Sequence, residues 1–155
     1  MIKIPKDIVN FFKKQDFVIV SSLDKDGLIH NSCKGIVEIE SNFVYLLDLY
    51  EANTYRNLQK RPVISITAVD SDRFEGYSLK GIATLVKKDV LEPRIAKLWD
   101  ENITRRITQR IIKSIKGEKS HHGHPEASLP KPKYLIKMEV EKITYLAPLK
   151  NKKGG

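Results

Sequence analysis

The sequence predicts a mainly β fold with flanking helices, built on six strands in an antiparallel sheet or barrel. Three observations carry this expectation. Short apolar runs of strand length recur six times along the chain, two of the links between them are turn-sized, and helical periodicity is confined to three stretches. The chain is long enough for one domain with a sizeable core, because a domain of about 150 residues buries roughly 70% of its unfolded surface.

The order of the elements follows from local signals. PKDIVNFFKKQ (5–15) reads as an amphipathic helix, with Pro5 at its start and Ile8, Phe11 and Phe12 on one stripe. FVIVSSL (17–23) is a strand, and Asp24-Lys25-Asp26-Gly27 is a hairpin turn whose Asp-Gly suits positive φ. LIHNSCKGIVEIE (28–40) returns as the second strand, Ser41-Asn42 turns again, and FVYLLDL (43–49) is the third. In YEANTYRNLQKRP (50–62) the period changes to that of a short helix, capped at Asn53 or Thr54 and stopped before Pro62. VISITAVD (63–70) and YSLKGIATLVKK (77–88) are strands four and five.

From Asp89 to Gly117 apolar residues recur at helical spacing, with Pro93 tolerable near the first turn and Thr104 marking a break between two helices. GEKSHHGHPEASLPKPK (117–133) is a loop by composition, and YLIKMEVEKITYL (134–146) alternates as the last strand. No internal repeat is present, and residues 150–155 form a frayed tail after a single domain of residues 1–149.

Two glycines interrupt strands. In GYSLKGIATLV, Gly81 costs roughly half to one kcal/mol relative to alanine, so its place in a strand signals a bulge, a barrel bend, or a group pressing close to the backbone. Gly35 punctuates the second strand in the same way and suggests a second corner.

Composition limits the function classes. The apolar runs are too short to span a bilayer, and the first residues lack the basic start and apolar core of a signal peptide, so a cytoplasmic protein is expected. With Cys33 alone, one chain forms neither a disulfide nor a cysteine zinc site. The net charge of +9 suits a nucleic acid, an anionic cofactor or a lysine-rich surface. Much of it falls on Arg105, Arg106, Arg110, Lys113, Lys116 and Lys119, a pattern that more often marks a solvated helix face than nucleic-acid binding.

Several sets of residues could carry chemistry. His30, Asn31, Ser32, Cys33 and Lys34 make the middle of strand two polar, with His30, Ser32 and Lys34 on one face and Asn31 and Cys33 on the other. Their partners are either water at an exposed edge or a polar ligand along the strand. Asn53, Thr54 and Arg56 open a helix whose first-turn amides suit an anion; the plainer reading is an ordinary cap with Arg56 in solvent. His121, His122 and His124 lie in a polar loop with few carboxylates nearby, which fits a surface loop or a lid better than a metal site. Cys33 is expected as a small buried hydrophobe unless His30 serves it as a base, and Trp99 as core or interface. Catalytic triads, paired catalytic carboxylates, P-loops and dinucleotide fingerprints are absent.

The order of these pieces resembles the pyridoxamine 5′-phosphate oxidase-like family of FMN-binding split β-barrels. FVIVSSLDKDGLIHNS, ANTYRNLQKRPVISIT, GYSLKGIATL with its aromatic-x-x-x-Gly-x-Ala pattern, and the closing strand carry the resemblance, well over residues 5–88 and more loosely over 134–146. The resemblance implies a homodimer of six-stranded antiparallel Greek-key split barrels with FMN at the subunit interface. His30, Asn31, Ser32 and Cys33 would line the ring and ribityl chain. Asn53, Thr54 and Arg56, with Lys34, would meet the phosphate, and Lys80 and Gly81 would lie near the dimer seam. Many members carry lysine at or beside the position of Asn53 or Thr54, so here Arg56 or Lys34 is left to neutralise the phosphate.

The tail ITYLAPLKNKKGG lacks the substrate arginine and histidine pattern of true pyridoxamine phosphate oxidases, so the resemblance does not extend to the vitamin B6 reaction. It implies an oxidoreductase acting on a small molecule with an electron donor. Relatives with a deazaflavin or haem keep two alternatives open, a deazaflavin-dependent reductase and a non-catalytic flavin or haem carrier or sensor.

Overall fold

The structure, a computed structural model, describes residues 2–48, 51–115 and 134–147, with side chains in the last part of the long helix described to residue 106 and at 108, 109 and 112. The order is α1 (Lys6–Lys13), β1 (Val18–Leu23), β2 (Ile29–Glu40), β3 (Phe43–Asp48), α2 (Asn53–Lys60), β4 (Val63–Asp70), β5 (Glu75–Lys87), a 3₁₀ turn at Lys88–Val90, α3 (Pro93–Ile115) and β6 (Tyr134–Tyr145). The six strands close into an antiparallel barrel in the order β1-β2-β3-β6-β5-β4. Closure runs through β1 and β4, paired only from Ile19↔Thr67 to Ser21↔Ser65, whereas β5 and β6 pair from Tyr77↔Tyr145 to Lys87↔Tyr134.

Period two sorts the side chains. Val18 and Val20 of β1, Ile64 and Ile66 of β4, and Ile136 and Met138 of β6 point into the barrel and are almost fully buried. Phe11 and Phe12 of α1 join this core, Phe11 edge-on to Tyr77 at 5.0 Å. A second cluster lies outside the barrel, where Ile95 and Trp99 of α3 cover Val37, Tyr45, Leu47 and Leu135. Trp99 is therefore core. Its indole Nε1 has no hydrogen-bond partner among the described residues.

The hairpin at Asp24–Gly27 forms as its sequence requires. Gly27 takes φ +79°, and Asp24 Oδ1 accepts from the amides of Asp26 and Leu28, each at 2.9 Å. Because β3 and β4 are not neighbours in the barrel, the chain between them cannot turn directly, and α2 makes the crossing, packing against β1, β2 and β5. That crossing positions the candidate site.

Gly81 has the role its sequence context suggests. The β5–β6 register shifts between Lys80 and Gly81, and a Cβ at Gly81 would lie 1.9 Å from the Glu139 carbonyl oxygen. Bulge and close approach are the same event: β6 backbone occupies the space a side chain would need.

The expected corner at Gly35 is corrected. The β2–β3 register shift falls just after it, between Ile36 and Glu38, and a Cβ at Gly35 would meet the Arg106 guanidinium at 2.0 Å. The missing side chain is a slot for Arg106, whose guanidinium also donates to the Asp16 carbonyl at 2.9 Å.

The expected break at Thr104 is also overturned. α3 continues through it: the Thr104 hydroxyl folds back to donate to the Asp100 carbonyl at 2.9 Å, and the buried Trp99 anchors the preceding turn. Among the described residues, no helix is long and apolar enough to cross a membrane.

Candidate functional site

The polar stretch of β2 is divided between two environments. Pairing with β1 sets Val18 opposite Lys34, Val20 opposite Ser32 and Ser22 opposite His30, so His30, Ser32 and Lys34 share the inward face with the two buried valines. Asn31 and Cys33 face outward. Asn31 accepts from the Ser21 hydroxyl at 2.6 Å, and Cys33 is exposed, against its expected burial. His30 and Cys33 therefore lie on opposite faces and do not form a nucleophile–base pair.

At this end of the barrel α2 lies over β2. The expected cap at Asn53 or Thr54 is corrected: both lie inside the first turn, Ala52 holds the cap position, and no side chain caps the helix. Thr54 is instead buried, and its hydroxyl meets the Ser32 hydroxyl at 3.0 Å. One turn on, Asn57 is buried and donates to Ser22 Oγ at 3.1 Å, fixing the helix to β1. Arg56 is exposed and donates to the Asn53 side-chain oxygen on the first turn. Two hydroxyls, one from β2 and one from α2, thus meet beside the start of a helix, with Arg56 exposed on the same first turn, an arrangement that suits the oxygens of a phosphate or a polyol.

Lys34 has an acidic partner within the chain. Its Nζ lies 2.9 Å from Asp48 Oδ1, with the two side chains 10% and 5% exposed. Tyr134, from the start of β6, donates its hydroxyl to the same carboxylate and stacks edge-on against Tyr55 at 4.7 Å. Burial, then the hydrogen bond to Asp48, pushes the Tyr134 hydroxyl far above its ordinary pKa of 10. Nothing local in the sequence marks Asp48 or Tyr134, since both read as ends of strands. Only the pairing of Asp48 with Tyr134 brings them together.

Lys80 and Gly81 lie apart from this cluster. Lys80 is exposed on the outer wall opposite Ser65, in a row that includes Ser21, while Gly81 lies inside against β6. The hydroxyls of Ser65 and Ser78 meet on that wall at 2.9 Å. A groove of about 780 Å³ lies elsewhere, along Pro93, Lys97, Asp100, Glu101 and Thr104 of α3, and includes no residue of the β2–α2 cluster. Of the basic stretch, Arg106 is docked on Gly35 and Arg105 donates to Asn102 at 2.8 Å, so these two do not form a free cationic row. The histidines 121, 122 and 124 lie outside the described residues, and among those described no group of three acidic, histidine or cysteine side chains is placed to hold a metal.

Comparison with known proteins follows the fold. HupZ of Group A Streptococcus superposes with TM-score 0.67 at 18% identity, over 93% of this chain and 94% of its own. A Clostridium acetobutylicum protein of the pyridoxinephosphate oxidase family, related to general stress protein 26, gives TM-score 0.62 at 17% identity over 95% and 93%. HutZ, the haem storage protein of Vibrio cholerae, gives 0.54 at 16% identity over 94% of each chain. At these identities the likeness establishes the fold alone. No curated protein matches the sequence. The pyridoxamine 5′-phosphate oxidase family matches residues 4–147, nearly the whole described fold, and the chain belongs to that family.

Proposed function

We propose that this chain is a homodimeric flavin-binding oxidoreductase that passes electrons between a donor and a small-molecule acceptor, with FMN as its cofactor. The observation that carries the reading is the meeting of Ser32 and Thr54 at 3.0 Å, a β2 hydroxyl and an α2 hydroxyl at the barrel end where the helix crosses. Ser32, Thr54, Asn53 and Arg56 would hold the ribityl and phosphate end, and the inward His30 would lie beside it. The flavin supplies the electron transfer, and the chain's own groups bind and orient it.

A second copy is supported by the outer wall. Ile19, Ile29, Val63 and Ile82 on β1, β2, β4 and β5 are between 38% and 73% exposed, and Asn31, Cys33 and Lys80 share that wall. Covering such a face is a common reason for a chain to dimerise.

The test is an absorption spectrum of the purified chain, before and after incubation with FMN and removal of excess by gel filtration. Oxidised-flavin bands that travel with a dimer-sized peak are the expected result, and Thr54→Ala should lower the retained flavin at least tenfold. A carrier of haem, the cargo of the similarly folded HutZ, would instead show a Soret band and no flavin retention.

A further inference from the structure

We propose that Lys80 and Lys142 form an anion site on the outer wall of the barrel, suited to the phosphate group of a small-molecule ligand. The site goes beyond the flavin reading, since it uses no residue of the Ser32–Thr54 cluster.

Strand pairing lays one polar row across that wall. Asn31 of β2 faces Ser21 of β1, Ser21 faces Ser65 of β4, Ser65 faces Lys80 of β5, and Lys80 faces Lys142 of β6. Directly opposite residues on antiparallel strands have their Cβ atoms about 5 Å apart, so the row ends in two like charges held side by side. Both lysines are exposed, and among the described residues neither ammonium makes an ion pair or a hydrogen bond. Two carboxylates lie close in sequence. Glu139 accepts from the Asn42 side chain at 3.3 Å, and Glu141, the extra residue where the β5–β6 register shifts, pairs with neither lysine.

Like charges directly opposite each other destabilise a sheet, whereas an acid at either position would support the same ladder. The fold itself therefore gains nothing from the pair, and a bound anion removes its repulsion. Two ammoniums match the two charges that a phosphate monoester carries near neutral pH, where a carboxylate answers only one. The Ser65 hydroxyl, opposite Lys80, is the next polar group along the row, and exposed Ile29, Val63 and Ile82 flank the row with apolar surface. Where a second copy covers this wall, the ammoniums lose their water as well, and an anion between the subunits supplies the charge they then need.

The experiment titrates the full, ¹⁵N-labelled chain with inorganic phosphate at constant ionic strength, read by NMR, with acetate as the singly charged comparison. Saturable shifts at the amides of Ser65, Lys80 and Lys142 are expected, with phosphate at least fivefold tighter than acetate. Lys80→Met/Lys142→Met should weaken phosphate at least tenfold, while Lys25→Met, in the distant β1–β2 turn, should leave it unchanged. Because the double change removes a repulsion, that variant should melt no earlier than the native chain. If it does melt earlier, Lys80→Gln and Lys142→Gln made singly decide, each weakening phosphate at least threefold. Phosphate that moves these amides no more than chloride does, or that binds the lysine variants as tightly as the native chain, overturns the proposal. Acetate bound as tightly as phosphate overturns it too, and so does a phosphate response confined to the Ser32 and Thr54 amides. Retention of FMN on gel filtration decides the flavin reading separately.

Discussion

Replacing Gly81 with alanine tests the barrel's tightest backbone contact. The added Cβ would lie 1.9 Å from the Glu139 carbonyl oxygen and 3.1 Å from Val140 Cα, so the two strands must separate by about 1 Å to restore a tolerable contact. Neither neighbour can give way by rotating a side chain, because both are backbone on β6, held in the most extensively paired ladder of the barrel. Backbone displacement of this kind costs about 1–3 kcal/mol and sometimes more. The reduced freedom of the unfolded chain returns about 0.4–1 kcal/mol of that.

The net loss is expected to be about 1 kcal/mol, which at this chain length lowers Tm by roughly 2–4 °C. Urea unfolding at fixed protein concentration, read by the fluorescence of the single, buried Trp99, measures it directly. A Gly81→Ala chain as stable as the native one, or more stable, would mean that β5 and β6 do not approach as described.

Gly35 gives a contrasting case, because the atom its Cβ would strike is the movable end of Arg106. Gly35→Ala should cost about 1–2 kcal/mol through the displaced hydrogen bond to the Asp16 carbonyl. In the Arg106→Ala background the same change should cost nothing or stabilise slightly, and additive losses in the double-mutant cycle would show that the two sites are independent. Tyr134 supplies a pH signature. Its folded pKa is raised above 10, so its contribution is complete below pH 10 and is lost as the pH climbs towards the folded value, the unfolded state giving up its proton first. Stability should therefore fall above about pH 10, less steeply in Tyr134→Phe. Phenolate absorbance that accounted for all six tyrosines before unfolding began would contradict the buried Asp48 contact.

The strands were legible because period two and turn chemistry are local. β4 spans the expected residues, and the ends of β1, β2, β5 and β6 differ from expectation by one or two positions. Thr104 misled because β-branching is a weak preference, and the burial of Trp99 one turn earlier outweighed it. Gly35 was legible as an unusual position but not as a slot, since its occupant arrives from α3, far along the chain. The strand order of the barrel was not readable from periodicity at all, and the family resemblance supplied only that the barrel is a Greek key.

The same division runs through the site. Alternation along β2 separates His30, Ser32 and Lys34 from Asn31 and Cys33 without any knowledge of the fold, and the structure keeps that separation. What alternation cannot supply is the partner of each inward group. Ser32 meets Thr54 because α2 must cross the barrel end between two strands that are not neighbours. Lys34 meets Asp48 because β2 pairs with β3, Gly35 opposite Leu47, so the next residues along face each other, and the pairing of β3 with β6 brings Tyr134 to the same carboxylate. Both pairings are consequences of topology, yet they have opposite effects on the chemistry. The first sets two hydroxyls side by side, and the second gives a buried carboxylate partner to a lysine that the family resemblance assigns to a phosphate. A lysine in the expected place is therefore not evidence of a phosphate grip until the charge opposite it is known, and in this barrel that charge is a buried carboxylate at 2.9 Å.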